Sequence, residues 1–101
     1  MRLVDIAHAR SGDKGDRSDI GLFAHEEAGY ELLEAVVTAE AVAAHFAPLG
    51  IGAVTRYELP NLLALKFVLE GALGGGAARS LRSDNLGKTL ASALLRMEIP
   101  L

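Results

Sequence analysis

Two short apolar runs open the chain, residues 2–9 (Arg2-Leu3-Val4-Asp5-Ile6-Ala7-His8-Ala9) and 19–24 (Asp19-Ile20-Gly21-Leu22-Phe23-Ala24). Both are short and β-compatible, so they are predicted as strands. Between them lies His8-Ala9-Arg10-Ser11-Gly12-Asp13-Lys14-Gly15-Asp16-Arg17-Ser18-Asp19, a polar segment predicted as the loop joining the two strands. The period then changes. Leu32, Leu33, Val36 and Val37 follow helical spacing, and Thr38 can cap a second helix carrying Val42 and Phe46 on one face. Pro48 and Gly50 should end that helix, and residues 52–59 alternate as a further strand.

Residues 60–73 fit two periods. Leu63, Leu65, Phe67 and Leu69 alternate as in a strand, which would make Pro60-Asn61 a hairpin turn. Leu62, Leu65, Val68/Leu69 and Ala72/Leu73 instead share one helical stripe. Good helix formers, Asn61 as N-cap and Gly74 as a C-terminal stop favour the helix. Residues 77–82 are predicted as a last short strand. Ser83 or Asp84 would cap a final helix burying Leu86, Leu90, Leu94 and Met97. The order β-β-α-β-α-β-α describes an α+β two-layer sandwich of about four strands and about three helices. A strand at 62–70 would bring it nearer the ferredoxin-like arrangement.

With 101 residues and no linker, a single domain over 1–101 is expected. The few aromatics leave a core of Leu, Ala, Val and Ile, which an oligomeric interface would support. There is no cysteine, so thiolate metal sites, disulfides and thiol nucleophiles are excluded. Residues 25–47 hold Glu26, Glu27, Glu31, Glu34 and Glu40 without Lys or Arg, whereas the last quarter is modestly basic. That basic quarter is too sparse, and too poor in aromatics, for nucleic-acid binding. The opening apolar stretch is too short for a signal peptide or membrane span, so a cytoplasmic protein without membrane association is expected.

In the charged segment Arg10, Lys14 and Arg17 alternate with Asp13, Asp16 and Asp19. Backbone N–H groups with Arg10 and Lys14 could cradle an anion, Asp13, Asp16 and Asp19 could hold a divalent cation, or the charges could simply fix the turn. Neither the phosphate-loop nor the EF-hand spacing is met. Ser11 lacks a nucleophile elbow, and His8, His25 and His45 have no mutual metal-ligand spacing. Gly74-Gly75-Gly76 permits close backbone approach, and Arg79 just beyond could receive a carboxylate or phosphate. Arg56, Tyr57 and Asn61 cluster at a strand end, and Arg56 could pair with Glu58.

Taken together, Ala7-His8-Ala9-Arg10-Ser11-Gly12-Asp13-Lys14-Gly15-Asp16, Arg56-Tyr57-Glu58-Leu59-Pro60-Asn61, Ala72-Leu73-Gly74-Gly75-Gly76, Ser80-Leu81-Arg82, and Asp84 with Gly87-Lys88 resemble the small ferredoxin-like domain associated with AtuA, the acyclic terpene utilisation family. The resemblance spans nearly the whole chain and implies a ferredoxin-like fold. In that family the domain follows a larger one or forms a short separate protein. It therefore implies a large AtuA-like partner and catabolism of branched or isoprenoid acids as acyl-CoA thioesters, with this chain a subunit of a lyase- or hydratase-type complex. The chain departs from the family pattern at Asp19 and Lys66, where asparagines are usual. Expected ligand contacts are Arg10, Ser11, Asp13, Lys14, Asp16, Asn61, Gly74, Gly75, Gly76 and Arg79; no cofactor or catalytic residue is identifiable. A homo-oligomeric ligand-binding or regulatory protein and a structural interaction module are the alternative readings.

Overall fold

A computed structural model describes residues 1–14, 17–70 and 84–100. Among these, β1 (Ala7–Lys14), β2 (Arg17–Ala24), β3 (Val54–Leu59) and β4 (Ala64–Glu70) form one antiparallel sheet in the order β1-β2-β4-β3. Three helices, α1 (Glu27–Val36), α2 (Ala39–His45) and α3 (Asp84–Leu95), pack on one face. The fold is an α+β two-layer sandwich of ferredoxin-like type.

The sheet alternation decides what is buried. Ile20 and Leu22 of β2 and Leu65, Phe67 and Leu69 of β4 point to the helices and are fully buried. They meet Tyr30 and Leu33 of α1, Val42 of α2, and Leu90 and Leu94 of α3 in one cluster, closed by Leu3, Val37, Phe46, Met97 and Ile99. The second helix is built as expected, with Thr38 Oγ1 accepting from Ala41 N–H at 3.0 Å, Glu40 in the first turn, and Gly50 left-handed at φ 68° beyond a Pro48-containing turn. The last helix also buries Leu90, Leu94 and the following Met97 as its stripe requires. His45 Nε2 lies 2.7 Å from the carbonyl of Ala93, joining α2 to α3.

Three expectations are corrected. First, residues 10–14 and 17–19 are not a loop: β1 and β2 pair continuously to Lys14↔Arg17, and residues 3–5, taken for strand, form a 3₁₀ turn. A charged surface face costs a strand little when neighbouring strands still satisfy its backbone. Second, residues 64–70 are a strand. It fills the sheet between β2 and β3, where backbone pairing on both sides overrides the helix propensity of leucine and alanine. Third, Asn61 is not a helix N-cap; it sits exposed in the 3₁₀ turn Pro60–Leu62. Leu63 completes that turn in a left-handed conformation, φ 53°, its N–H donating to the Pro60 carbonyl at 3.0 Å. Among the described residues the order is thus β-β-α-α-β-β-α. The proposed strand at 77–82 lies outside the described residues.

Arg56 projects from β3 to the end of α1. Its Nη1 donates to the carbonyls of Glu34 at 2.9 Å and Val37 at 3.0 Å, and its Nη2 pairs with Glu58 at 2.8 Å. A guanidinium there satisfies carbonyls that the helix leaves open and opposes the negative end of its dipole. Arg56→Ala is expected to cost about 1.5–3 kcal/mol in urea unfolding, and Arg56→Lys, which lacks the planar fork, should recover only part of it.

The Tyr30 hydroxyl is buried with no hydrogen-bond partner among the described residues. Burial, reinforced by Glu34 and Glu58 and opposed by Arg56, pushes its pKa above the ordinary 10.0. The folded state therefore holds that proton more tightly than the unfolded state, so the stabilising contribution is complete below pH 10.0 and fades as pH rises past it. Tyr30→Phe should unfold at higher urea concentration and lose that alkaline decline, as measured by urea melts across pH.

Candidate functional site

No helix among the described residues covers the second face of the sheet. The alternation that sends Leu65, Phe67 and Leu69 inward sends Lys66 and Val68 outward, and the strand register orders the outer face into rows. His8, Phe23, Ala64 and Leu59 lie in one row. Arg10, Gly21, Lys66 and Tyr57 form the next, and Gly12, Asp19, Val68 and Thr55 the third. Tyr57 is 52% exposed and Leu59 36%, while Leu62 in the adjoining turn is 61% exposed, so apolar area is left facing solvent.

The first row is aromatic. His8 stacks on Phe23 with ring centroids 5.2 Å apart and on His25 at 5.8 Å, the planes nearly parallel in both. Phe23 also leans across Gly21, where an added Cβ would stand 2.9 Å from Phe23 Cε1. Glycine at 21 thus gives the ring its place and opens a groove of about 280 Å³ beside it. Arg10, Asp19 and Lys66 edge this groove, together with Phe23, Leu59 and Ala64. A smaller depression of about 220 Å³ continues past Asp19 and Lys66 to Arg17. Arg17 itself is paired, Nε to Glu70 Oε2 at 3.3 Å. Among the described residues Arg10, Asp19 and Lys66 form no ion pair.

The residues singled out in the sequence separate on this frame. Arg10 lies on the open face. Ser11 is turned the other way and borders a cleft with Ala91, Ser92 and Leu95 of α3. Asp13 and Lys14 occupy the far end of β1, opposite Ser18 and Arg17. Asn61 sits at the other end of the sheet, beyond Leu59 and Ala64, about 20 Å from Lys14 along the strands. Asp16, Gly74, Gly75, Gly76 and Arg79 lie outside the described residues. Asp19 and Lys66 come together at the edge of the same groove.

Sequence reasoning gave Gly21 and Phe23 no role and named Lys66 only through the resemblance. Gly21 and Phe23 lie in the predicted strand 19–24, whose outward side was assigned no chemistry, while the alternation that turns Lys66 outward runs through 64–70, which the helix assignment set aside. Among the described residues no three His, Asp or Glu side chains gather to hold a metal ion, and no helix is long and apolar enough to cross a membrane. A separate depression of about 410 Å³ lies where His25 and Glu26 lead into α1. One of its carboxylates, Asp5, already accepts the Arg2 N–H at 2.9 Å.

The model of the AtuA ferredoxin-like domain matches residues 1–100. No protein of curated function and no solved structure matches the chain. That match covers far more than half of the chain, and the chain belongs to the AtuA ferredoxin-like domain family.

Proposed function

We propose that this chain is the accessory domain or small subunit of an AtuA-type catabolic system, working with a larger AtuA-like chain that docks on the open sheet face. The observation that carries this reading is the one-sided packing. All the described helices lie on one face, while the other presents Tyr57, Leu59 and Leu62 uncovered. A half-exposed tyrosine beside aliphatic side chains is the composition of a protein interface core. The family's link to acyclic terpene utilisation supports branched or isoprenoid acyl-CoA thioesters as the substrates of the assembled system, with a lyase or hydratase step carried out in the complex. The setting would be the cytoplasm.

The test is co-expression of the tagged chain with the large AtuA-like chain of the same cells, followed by purification and mass spectrometry. A stoichiometric complex supports the subunit reading. Recovery of this chain as a homo-oligomer alone would replace it with the self-associating, ligand-binding alternative.

A further inference from the structure

We propose that the groove over Gly21 binds a small carboxylate with an apolar end, its head between Arg10 and Lys66 and its tail along Phe23, Ala64 and Leu59. The proposal concerns the chain itself and does not depend on the partner assigned above.

Arg10 and Lys66 stand on either side of Gly21 in one register row, their Cα atoms two strand spacings, about 10 Å, apart. Glycine leaves the room that the Phe23 ring takes as it leans across, so Arg10 and Lys66 flank that ring and both edge the groove beside it. Neither has an ion-pair partner among the described residues, so both charges are open to an anion that enters the groove. The guanidinium can grip a carboxylate in bidentate fashion, and the lysine adds a point charge from the opposite side.

The neighbouring rows give the ligand its polarity. Toward the Asn61 end, Phe23, Ala64 and Leu59 offer apolar surface. Toward the Arg17 end stands Asp19, with its Oδ1 leaning toward Gly12. An anionic head in the middle row must therefore send its hydrocarbon toward the aromatic row and away from Asp19. Charge sets the head group: two cations against one carboxylate leave a single positive charge to neutralise, which suits a carboxylate better than a doubly charged phosphate ester. Size sets the tail, since a groove of about 280 Å³ lies at the small end of ligand sites and suits a short aliphatic acid.

The test is titration of the full chain with hexanoate, followed by ¹H–¹⁵N correlation NMR, with acetate, hexylamine and inorganic phosphate as comparison probes. Saturable shifts centred on Gly21, Phe23 and Lys66 are expected. Acetate should bind at least about tenfold more weakly, since it lacks the buried methylenes, and hexylamine should not bind at these residues. Lys66→Gln and Arg10→Gln, both at exposed positions, should each weaken hexanoate about tenfold, and Asp19→Asn should tighten it. Unchanged spectra, equal affinity in the Arg10→Gln/Lys66→Gln double variant, equal binding of acetate, or tighter binding of phosphate would each overturn the proposal. Circular dichroism on each variant separates loss of the site from loss of the fold.

Discussion

Phe67→Ala is expected to lower the folding free energy by about 3–5 kcal/mol, against well under 1 kcal/mol for Leu62→Ala. Phe67 is fully buried at the centre of the sheet, opposite Ile20 on one side and Arg56 on the other, so truncation leaves a cavity in the main cluster. Leu62 is 61% exposed and loses little. The pair distinguishes strand from helix at 64–70, because a helix burying Leu62, Leu65 and Leu69 would turn Phe67 away from the core and reverse the order. Urea unfolding of both variants gives the ranking. A loss of that size takes a large part of the stability of a domain this small, so Phe67→Ala should be partly unfolded at 37 °C.

Tyr57→Asp is expected to weaken association with the large AtuA-like chain at least about 30-fold while leaving unfolding within about 0.5 kcal/mol of the unmodified chain. Tyr57 lies on β3, the last of the described strands in the sheet order, on the open face and half-exposed, so a carboxylate there meets water in the free chain. In a docked interface the same carboxylate is buried without a partner, which is costly. Size-exclusion chromatography of the co-expressed pair, with a urea melt of the isolated variant, reads the two quantities separately. An intact complex with Tyr57→Asp would place the contact elsewhere on the domain.

The two predictions also show where the sequence was legible. Elements closed by local chemistry could be read directly: Thr38 caps α2 through its own hydroxyl, and Gly50 takes the left-handed conformation that ends the following turn. Residues 64–70 were harder, because both alternation and a helical stripe run through the same leucines. The deciding factor is non-local. The β2 and β3 backbones lie on either side and supply hydrogen bonds that no window of sequence contains. The charged hairpin misled for a related reason. Its outward side is polar because none of the described helices covers that sheet face, and polar density was taken for loop.

The site follows the same division. Arg10 was visible as one cation in a patterned segment. Its counterpart Lys66 lies 56 positions later and joins it only through the β1-β2-β4 register, across a glycine whose importance is the absence of a side chain. Ser11 and Asn61 looked like members of the same site, yet alternation turns one toward α3 and the turn at Pro60 carries the other to the far end of the sheet.

The central claim is that the open sheet face is the working surface of the domain. Hydroxyl-radical footprinting of the chain, free and co-purified with the large AtuA-like chain, tests it most directly. The account predicts that Phe23, Tyr57, Leu59 and Leu62 lose reactivity in the complex, while exposed positions on the helix side, such as Glu31 and Ala44, keep theirs. Protection confined to the helices, with Tyr57 and Leu62 as reactive as in the free chain, would contradict it.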